Sequence, residues 1–342
     1  LSRLVGAWGP IPPPSRTAER PPVGPRVGRF LVDREAAGGY IEHLVGVTGE
    51  RDLSGMRVVL DCAHGAACEI GPAVFGRLKA DVTALSCEPD GTNINDGCGS
   101  THPETLAEAV VECGADLGLA FDGDADRLVA VAHTGEVATG DELMALFAVD
   151  LAERDRLARS TVVVTVMSNL GLRLALEERG IAVSETPVGD RYVLEALNRE
   201  EFSLGGEQSG HLVFRDLATT GDGILTAVLL ADLVKRSGRT FADLLASSMH
   251  KVPQLLVNVA TSDPAAVVDS PRVTAAVDEE RSALGSRGRV LIRASGTEPL
   301  VRVMVEAEED EAAREAVARL SAAVERESES LRNILDPTGE IA

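Results

Sequence analysis

From about residue 38, short apolar runs alternate with amphipathic stretches. MRVVLDCA (56–63) is an apolar run ended by a turn, AACEIGPAVFGRLKA (66–80) reads as a helix, and DVTALS (81–86) as the next strand. THPETLAEAVVECGA (101–115) reads as a helix opening at Thr101, with Glu104 at capping-box spacing. DLGLAFD (116–122) and LVAVAH (128–133) are strands again. Thr139 and Glu142 form a second capping box leading into LMALFAVDLAERD, and the rhythm then restarts. VVVTVMS (162–168) and AVSETPV are strands, LGLRLALEERG and RYVLEALNRE are helices, FSLGGE (202–207) is a strand ending in a glycine turn, and DGILTAVLLADLVKRSG is a long helix. This strand–helix–strand order predicts two α/β layered domains with mixed sheets, each with helices on its faces. Near His250 the order changes. VPQLLVNVA, a helical stretch ending in AAVDEERSALG, two β runs in RVLIRASGTEPLVRVMVEAE and a charged helix from about Asp310 predict a smaller α+β C-terminal domain. The expected divisions are 1–37, 38–138, 139–249 and 250–342.

The first 28 residues break the pattern. GPIPPPSRTAERPPVGPRVG holds nearly half of the chain's 16 prolines, and proline supplies no N–H to a helix or ladder. An extended linker or disordered tail is expected there. The chain begins with Leu1, which suggests a fragment or a start elsewhere.

Composition narrows the function classes. Of 342 residues, 44% are hydrophobic but only 3% aromatic, so the interior is built from Val, Leu, Ile and Ala, as suits parallel sheets between helices. A net charge of −21 argues against a nucleic-acid partner, because phosphate backbones are held by basic surface. A few placed arginines suffice for a small phosphorylated ligand. Lysine is nearly absent (Lys79, Lys235 and Lys251), so cationic chemistry falls to arginine. The cysteines (Cys62, Cys68, Cys87, Cys98 and Cys113) are spaced too irregularly for a disulfide framework or zinc site, which fits a reducing cytoplasm. No apolar run approaches the roughly 18 residues of a membrane span, and no secretory signal pattern opens the chain.

Four stretches carry candidate chemistry. In Phe-Asp-Gly-Asp-Ala-Asp-Arg (121–127), Asp122, Asp124 and Asp126 crowd one turn directly after an apolar strand. Three carboxylates so close repel unless a cation joins them, and hard oxygens in a tight turn suit Mg2+. Arg127 adds a planar fork for phosphate oxygens. An exposed acidic turn is the bland alternative. An EF-hand is excluded, because its sixth position falls on Arg127 and its twelfth on His133. Gly205-Gly-Glu-Gln-Ser-Gly-His211 offers an acceptor (Glu207), a hydroxyl (Ser209) and a titratable ring (His211), a mixture suited to sugar hydroxyls and one proton transfer. A polar turn with a surface histidine would look the same. Arg293-Ala-Ser-Gly-Thr-Glu-Pro-Leu-Val-Arg302 sets two arginines around Ser295, Gly296 and Thr297, where guanidinium forks, hydroxyls and backbone N–H groups can converge on a phosphate. An ordinary hairpin turn is its alternative. Thr186-Pro-Val-Gly-Asp-Arg191 could close over a substrate or simply start a helix.

Taken in this order, DGDADR, GEQSGH and RASGTEPLVR resemble the metal, sugar and phosphate loops of the α-D-phosphohexomutase family. CEPDGTNINDGCGSTHPE, VMSNLGL, VGDRYV and TTGDGI point to the branch that acts on glucosamine phosphate, with mannose or glucose phosphate as alternatives. The resemblance runs from about residue 29 to 342. It implies Mg2+ on Asp122, Asp124 and Asp126, Arg127 by the transferring phosphoryl, Glu207, Ser209 and His211 at the sugar with His211 as proton carrier, and Arg293, Ser295, Gly296, Thr297 and Arg302 on the other phosphate. It implies a phosphorylated hexosamine as partner, no nucleic acid, no membrane, and a homodimer as one assembly. The family's first domain brings a phosphoserine in a Ser-His-Asn-Pro context, and these 342 residues contain no such run. The expectation is that the first domain is largely absent, with 1–37 as its remnant, and that this chain binds without turnover. An Asp-nucleophile phosphatase reading would leave Asp126, Arg127 and the arginine-rich loop unused.

Overall fold

A computed structural model describes residues 35–335 apart from 50, 296 and 297. The expected proline-rich linker therefore lies outside the described residues, except for Glu35, Ala36 and Ala37. The chain divides into a unit of residues 1–39 and one of residues 40–342. Helix α1 is Ala36–Gly46.

The first sheet has the order β2-β1-β3-β4-β5. Strands β1 (Arg57–Asp61), β2 (Asp81–Leu85) and β3 (Leu117–Phe121) are parallel, β4 (Leu128–Ala132) pairs antiparallel with β3, and β5 (Val137–Ala138) pairs antiparallel with β4. Strands β1, β3 and β4 are covered on both faces, which explains why they read as continuous apolar runs. Along β1, Val58 and Leu60 point into one core and Val59 into another with Leu106 and Val110 of α3 (Glu104–Cys113). Helix α2 is Ala67–Arg77. The expected cap at Thr101 is not formed. Thr101 ends a 3-10 turn (Gly99–Thr101), and α3 starts only after Pro103, which is favoured at a helix start.

The second sheet repeats this plan. Strands β6 (Thr161–Thr165), β7 (Ala182–Thr186) and β8 (Leu204–Gly206) are parallel, β9 (Leu212–Phe214) is antiparallel, and the order is β7-β6-β8-β9. Helices α5 (Leu170–Glu177) and α6 (Asp190–Glu200) flank it. Helix α4 (Gly140–Glu153) starts at the expected box, with the Glu142 carboxylate accepting from the N–H and hydroxyl of Thr139. Helix α4 and α7 (Gly223–Ser237) are buried over most of their circumference, the pattern of a helix enclosed on all sides. They join both sheets in one core that contains Leu60, Leu119, Phe147, Val162, Val164, Leu204 and Val228. A short helix, α8 (Phe241–Ala246), closes this part of the chain.

The C-terminal part is an antiparallel sheet, β10-β12-β11, of β10 (Gln254–Ala260), β11 (Gly288–Ala294) and β12 (Leu300–Ala307). Helices α9 (Pro264–Val268), α10 (Pro271–Leu284) and α11 (Asp310–Leu335) cover it. Ala313, Ala316, Val317, Leu320 and Val324 of α11 repeat at helical spacing and complete a core separate from the first.

Between these two cores the seam is polar. Arg289 donates to the carbonyls of Ser168 (3.0 Å) and Val166, and its guanidinium lies 3.6 Å from Glu306. Glu306 accepts from Leu170 N–H at 3.0 Å. The Asn169 amide exchanges two hydrogen bonds with the Val252 backbone, and Asn169 N–H donates to Asp141 at 2.9 Å. Removing one partner from a buried ion pair strands the other, so Arg289→Ala is expected to cost about 3 kcal/mol in urea unfolding.

Asp141 predicts a pH dependence at the same seam. Burial pushes its carboxyl up to about 6, whereas an unfolded aspartate titrates at about 4. Between these values the folded state holds more protons, so this contribution to stability falls as pH rises and is fully lost above about pH 6. Asp141→Asn keeps an acceptor for Asn169 N–H. Urea unfolding should show it gaining about 2–3 kcal/mol over the parent at pH 8 and little at pH 4. An equal difference at both values would contradict the assignment.

Candidate active site

Strand β3 ends at Phe121, and Asp122–Arg127 turn the chain into β4. Asp122 Oδ1 accepts from the N–H groups of Asp126 and Arg127, both at 3.1 Å, and Ala125 takes a left-handed conformation (φ 57) to close the turn. Burial first, and then the Asp126 carboxyl beside it, hold Asp122 above the usual carboxylate range, against the pull of Arg127. The Arg127 guanidinium lies 3.8 Å from Asp122 and 3.9 Å from Asp126, beyond hydrogen-bond length. Asp124 is exposed. Among the described residues no three His, Cys, Asp or Glu side chains are arranged to hold a metal ion. Two of the three expected carboxylates are thus in contact, and Asp124 stands apart from them.

The corresponding turn of the second sheet, from β8 to β9, carries Glu207, Ser209 and His211. Glu207 Oε1 accepts from Gly189 N–H at 2.9 Å, tying down the Thr186–Arg191 stretch, and Ser209 Oγ lies 3.5 Å from Glu207 Oε2. His211 is only 4% exposed, and its Nδ1 is 3.2 Å from Asp126 Oδ2. Its first partner is therefore the acidic loop.

Backbone contacts reinforce that link. Leu128 N–H donates to Gly210 O (3.0 Å), Gly223 N–H to Ala125 O (2.9 Å) and Gly140 N–H to Gln208 O (3.1 Å). The approach demands glycine. A Cβ on Gly210 would lie 2.1 Å from Leu128 O, and one on Gly223 would lie 2.3 Å from Arg127 O. At the start of α7, Asp222 caps Leu225 N–H (2.8 Å) and accepts from the Tyr40 hydroxyl (2.8 Å). Gly210 lies within GEQSGH, and Asp222 and Gly223 within TTGDGI, but in the sequence reading they carry no role of their own. The signal available was a repeated Thr-Gly-Asp, at 139–141 and 220–222, each at the start of an enclosed helix.

The third loop joins β11 to β12. Arg293 and Arg302 stand directly opposite in the ladder. Burial, and then Arg302, hold the Arg293 guanidinium below its ordinary range. Arg302 donates to Glu298 at 3.3 Å, while its buried Nε has no hydrogen-bond partner. Ser295 Oγ accepts from Glu298 N–H at 3.3 Å. Gly296 and Thr297 lie outside the described residues. Two like charges facing each other across a ladder are unfavourable, and an orphaned donor beside them suits an anion. No hydrogen bond or ion pair among the described residues joins this loop to Asp122 or His211. Among the described residues no helix is long and apolar enough to cross a membrane.

Three family models cover most of the chain. They are the phosphoglucomutase/phosphomannomutase alpha/beta/alpha domain II at residues 38–135, alpha/beta/alpha domain III at 139–252 and the C-terminal domain at 256–323. The chain belongs to the phosphoglucomutase/phosphomannomutase family, a family of phosphohexomutases. Within it the likeness is to phosphoglucosamine mutases. The chain is 54% identical to that of Streptomyces avermitilis over 303 residues (89% of this chain, 67% of the relative) and 56% identical to that of Nocardia farcinica over 282 residues (82% and 61%). It thus spans about two thirds of the length of these relatives. In fold it is similar to Aspergillus fumigatus N-acetylphosphoglucosamine mutase, solved in complex with GlcNAc-6P and magnesium (TM-score 0.71, 21% identity, 88% of this chain and 67% of that one). It is also similar to a Burkholderia thailandensis phosphoglucomutase/phosphomannomutase family protein (TM-score 0.69, 23% identity, 85% and 64%).

The glycine contact carries a prediction. Gly210 combines a positive φ (+91) with a backbone carbonyl in the place of a Cβ, so Gly210→Ala is expected to lose about 3 kcal/mol in urea unfolding. Gly238→Ala meets the strained φ (+66) with open space around it and should lose only about 1 kcal/mol. Equal losses would mean that the loops do not depend on this approach.

Proposed function

We propose that this chain carries the metal, sugar and phosphate loops of a phosphoglucosamine mutase. The whole activity is the interconversion of glucosamine 6-phosphate and glucosamine 1-phosphate through a bisphosphate, in cell-wall precursor synthesis. The observation that carries this reading is Asp126, which contacts Asp122 and Arg127 within its own loop and His211 of the sugar loop. The donor set fits Mg2+, because two hard carboxylates held against each other gain from a cation between them. Asp122, Asp126 and, from its exposed position, Asp124 would hold it. When bound, the ion supplies positive charge to a phosphoryl group in transfer.

The remaining roles fall to the chain's own groups. Arg127 steadies phosphoryl oxygens, and Glu207 and Ser209 meet sugar hydroxyls. Arg293, Ser295, Gly296, Thr297 and Arg302 take the second phosphate. His211 moves a proton at its ring and is kept in place by Asp126. No Ser-His-Asn-Pro occurs in the 342 residues, so this chain binds its ligand without forming product. Cytoplasmic placement and a homodimeric assembly belong to this reading alone.

Calorimetric titration of the chain with glucosamine 6-phosphate, with and without Mg2+, tests it. Binding should need Mg2+, should exceed that of mannose and glucose 6-phosphates, and should weaken at least about tenfold in Arg302→Ala, the loss of one charge-assisted contact. Formation of glucosamine 1-phosphate would overturn binding without turnover, and unchanged affinity in Arg302→Ala would remove the phosphate-loop assignment.

A further inference from the structure

All five cysteines are free, and three of them meet where β1 and β2 leave the first sheet. The parallel ladder pairs Asp61 with Leu85. It continues outward as Cys62 N–H donates to Leu85 O (3.1 Å) and His64 N–H to Ser86 O (2.7 Å). Cys62 and Cys87 therefore leave the sheet side by side. Cys68, near the start of α2, turns back toward the same point, its Sγ 3.6 Å from Ser86 O and 3.9 Å from Cys62 O. Burial first, and then the Cys87 side chain nearby, push both the Cys62 and the Cys68 thiol up. Cys62 is fully buried, whereas Cys68 and Cys87 are only partly covered and open to small reagents. No role in the proposed function uses them.

We propose that Cys68 and Cys87 form a reversible disulfide site, oxidised by exchange with a low-molecular-weight disulfide. In the first step the Cys87 thiolate attacks one sulfur of the reagent R–S–S–R. That S–S bond breaks, leaving R–S on Cys87 and releasing RS⁻, which takes up the proton from Cys87. The Cys68 sulfur then gives its proton to solvent and attacks the Cys87 sulfur, expelling the second RS⁻, which is protonated in turn. Two protein thiols and one R–S–S–R become one protein disulfide and two R–SH, with two electrons passing to the reagent. Burial pushes the Cys68 thiol up to about 11, so the second step quickens with rising pH.

The pair lies close behind the acidic loop. Between Cys62 and Cys68 the chain turns through Ala63 and His64, both left-handed (φ 52 and 49), and Ala66 N–H donates to Gly123 O at 2.9 Å. The Ala63 carbonyl accepts from Asn95 N–H at 3.0 Å. A bond from Cys68 to Cys87 restrains the turn on which the Asp122–Asp126 loop rests.

The test needs neither Mg2+ nor a sugar, so its outcome is separate from that of the mutase reading. The folded 342-residue chain is incubated with oxidised glutathione at pH 8, alkylated, digested and mapped by mass spectrometry. The expected result is a Cys68–Cys87 linkage that removes two of the five free thiols and is reversed by dithiothreitol. It should persist in Cys113→Ser and vanish in Cys87→Ser. A Cys62–Cys87 linkage, a bond formed only in urea, or five alkylated cysteines after oxidation of the parent would each overturn the proposal.

Discussion

The turn after β8 lies so close to the turn after β3 that hydrogen-bonded backbone fills the space where side chains would stand. Leu128 N–H bonded to Gly210 O ties the Glu207–His211 loop to the acidic loop, and Gly223 N–H bonded to Ala125 O ties the start of α7 to the same loop. Most of the candidate site follows from this contact. His211 is buried because its loop is pressed onto the first sheet, and Asp126 has a ring nitrogen beside it for the same reason. The shared core supports the contact from behind. Helices α4 and α7 are buried over most of their circumference in the core shared by both sheets, so neither loop shifts without disturbing interior packing.

The Arg293–Arg302 loop is attached differently. It sits on a sheet with its own core, joined to the rest through Arg289, Glu306, Asn169 and Asp141. Polar seams exchange their partners with water at modest cost, whereas an apolar core does not. Two loops are therefore fixed to one another by packing, and the third is placed by hydrogen bonds and charge. An arrangement of this kind suits a ligand with two ends, one gripped by an arginine pair and the other presented to carboxylates.

Much of this was legible in the chain. Apolar runs marked the strands, the Thr139–Glu142 box marked the start of α4, and Arg293 and Arg302 were expected on two β runs joined by a short loop, as found. The Thr101 cap failed because Pro103 fits a helix start better than the hydroxyl two residues before it. Pattern reading works within one element. The contact of His211 with Asp126 joins residues 85 positions apart in two different sheets, and no local period reports it. Asp124 shows the limit of spacing in the other direction. Its spacing places it beside Asp122 and Asp126 in sequence, but the turn closed by Ala125 leaves it facing outward.

The claim that the two loops act as one unit is tested most directly by the ring nitrogens of His211. In a 15N spectrum of the six histidines, titrated with Mg2+, the account predicts a saturable shift at His211 that disappears in Asp122→Asn. A His211 signal that stays still while the chain binds Mg2+ would contradict it, because the ion would then be held without passing through Asp126.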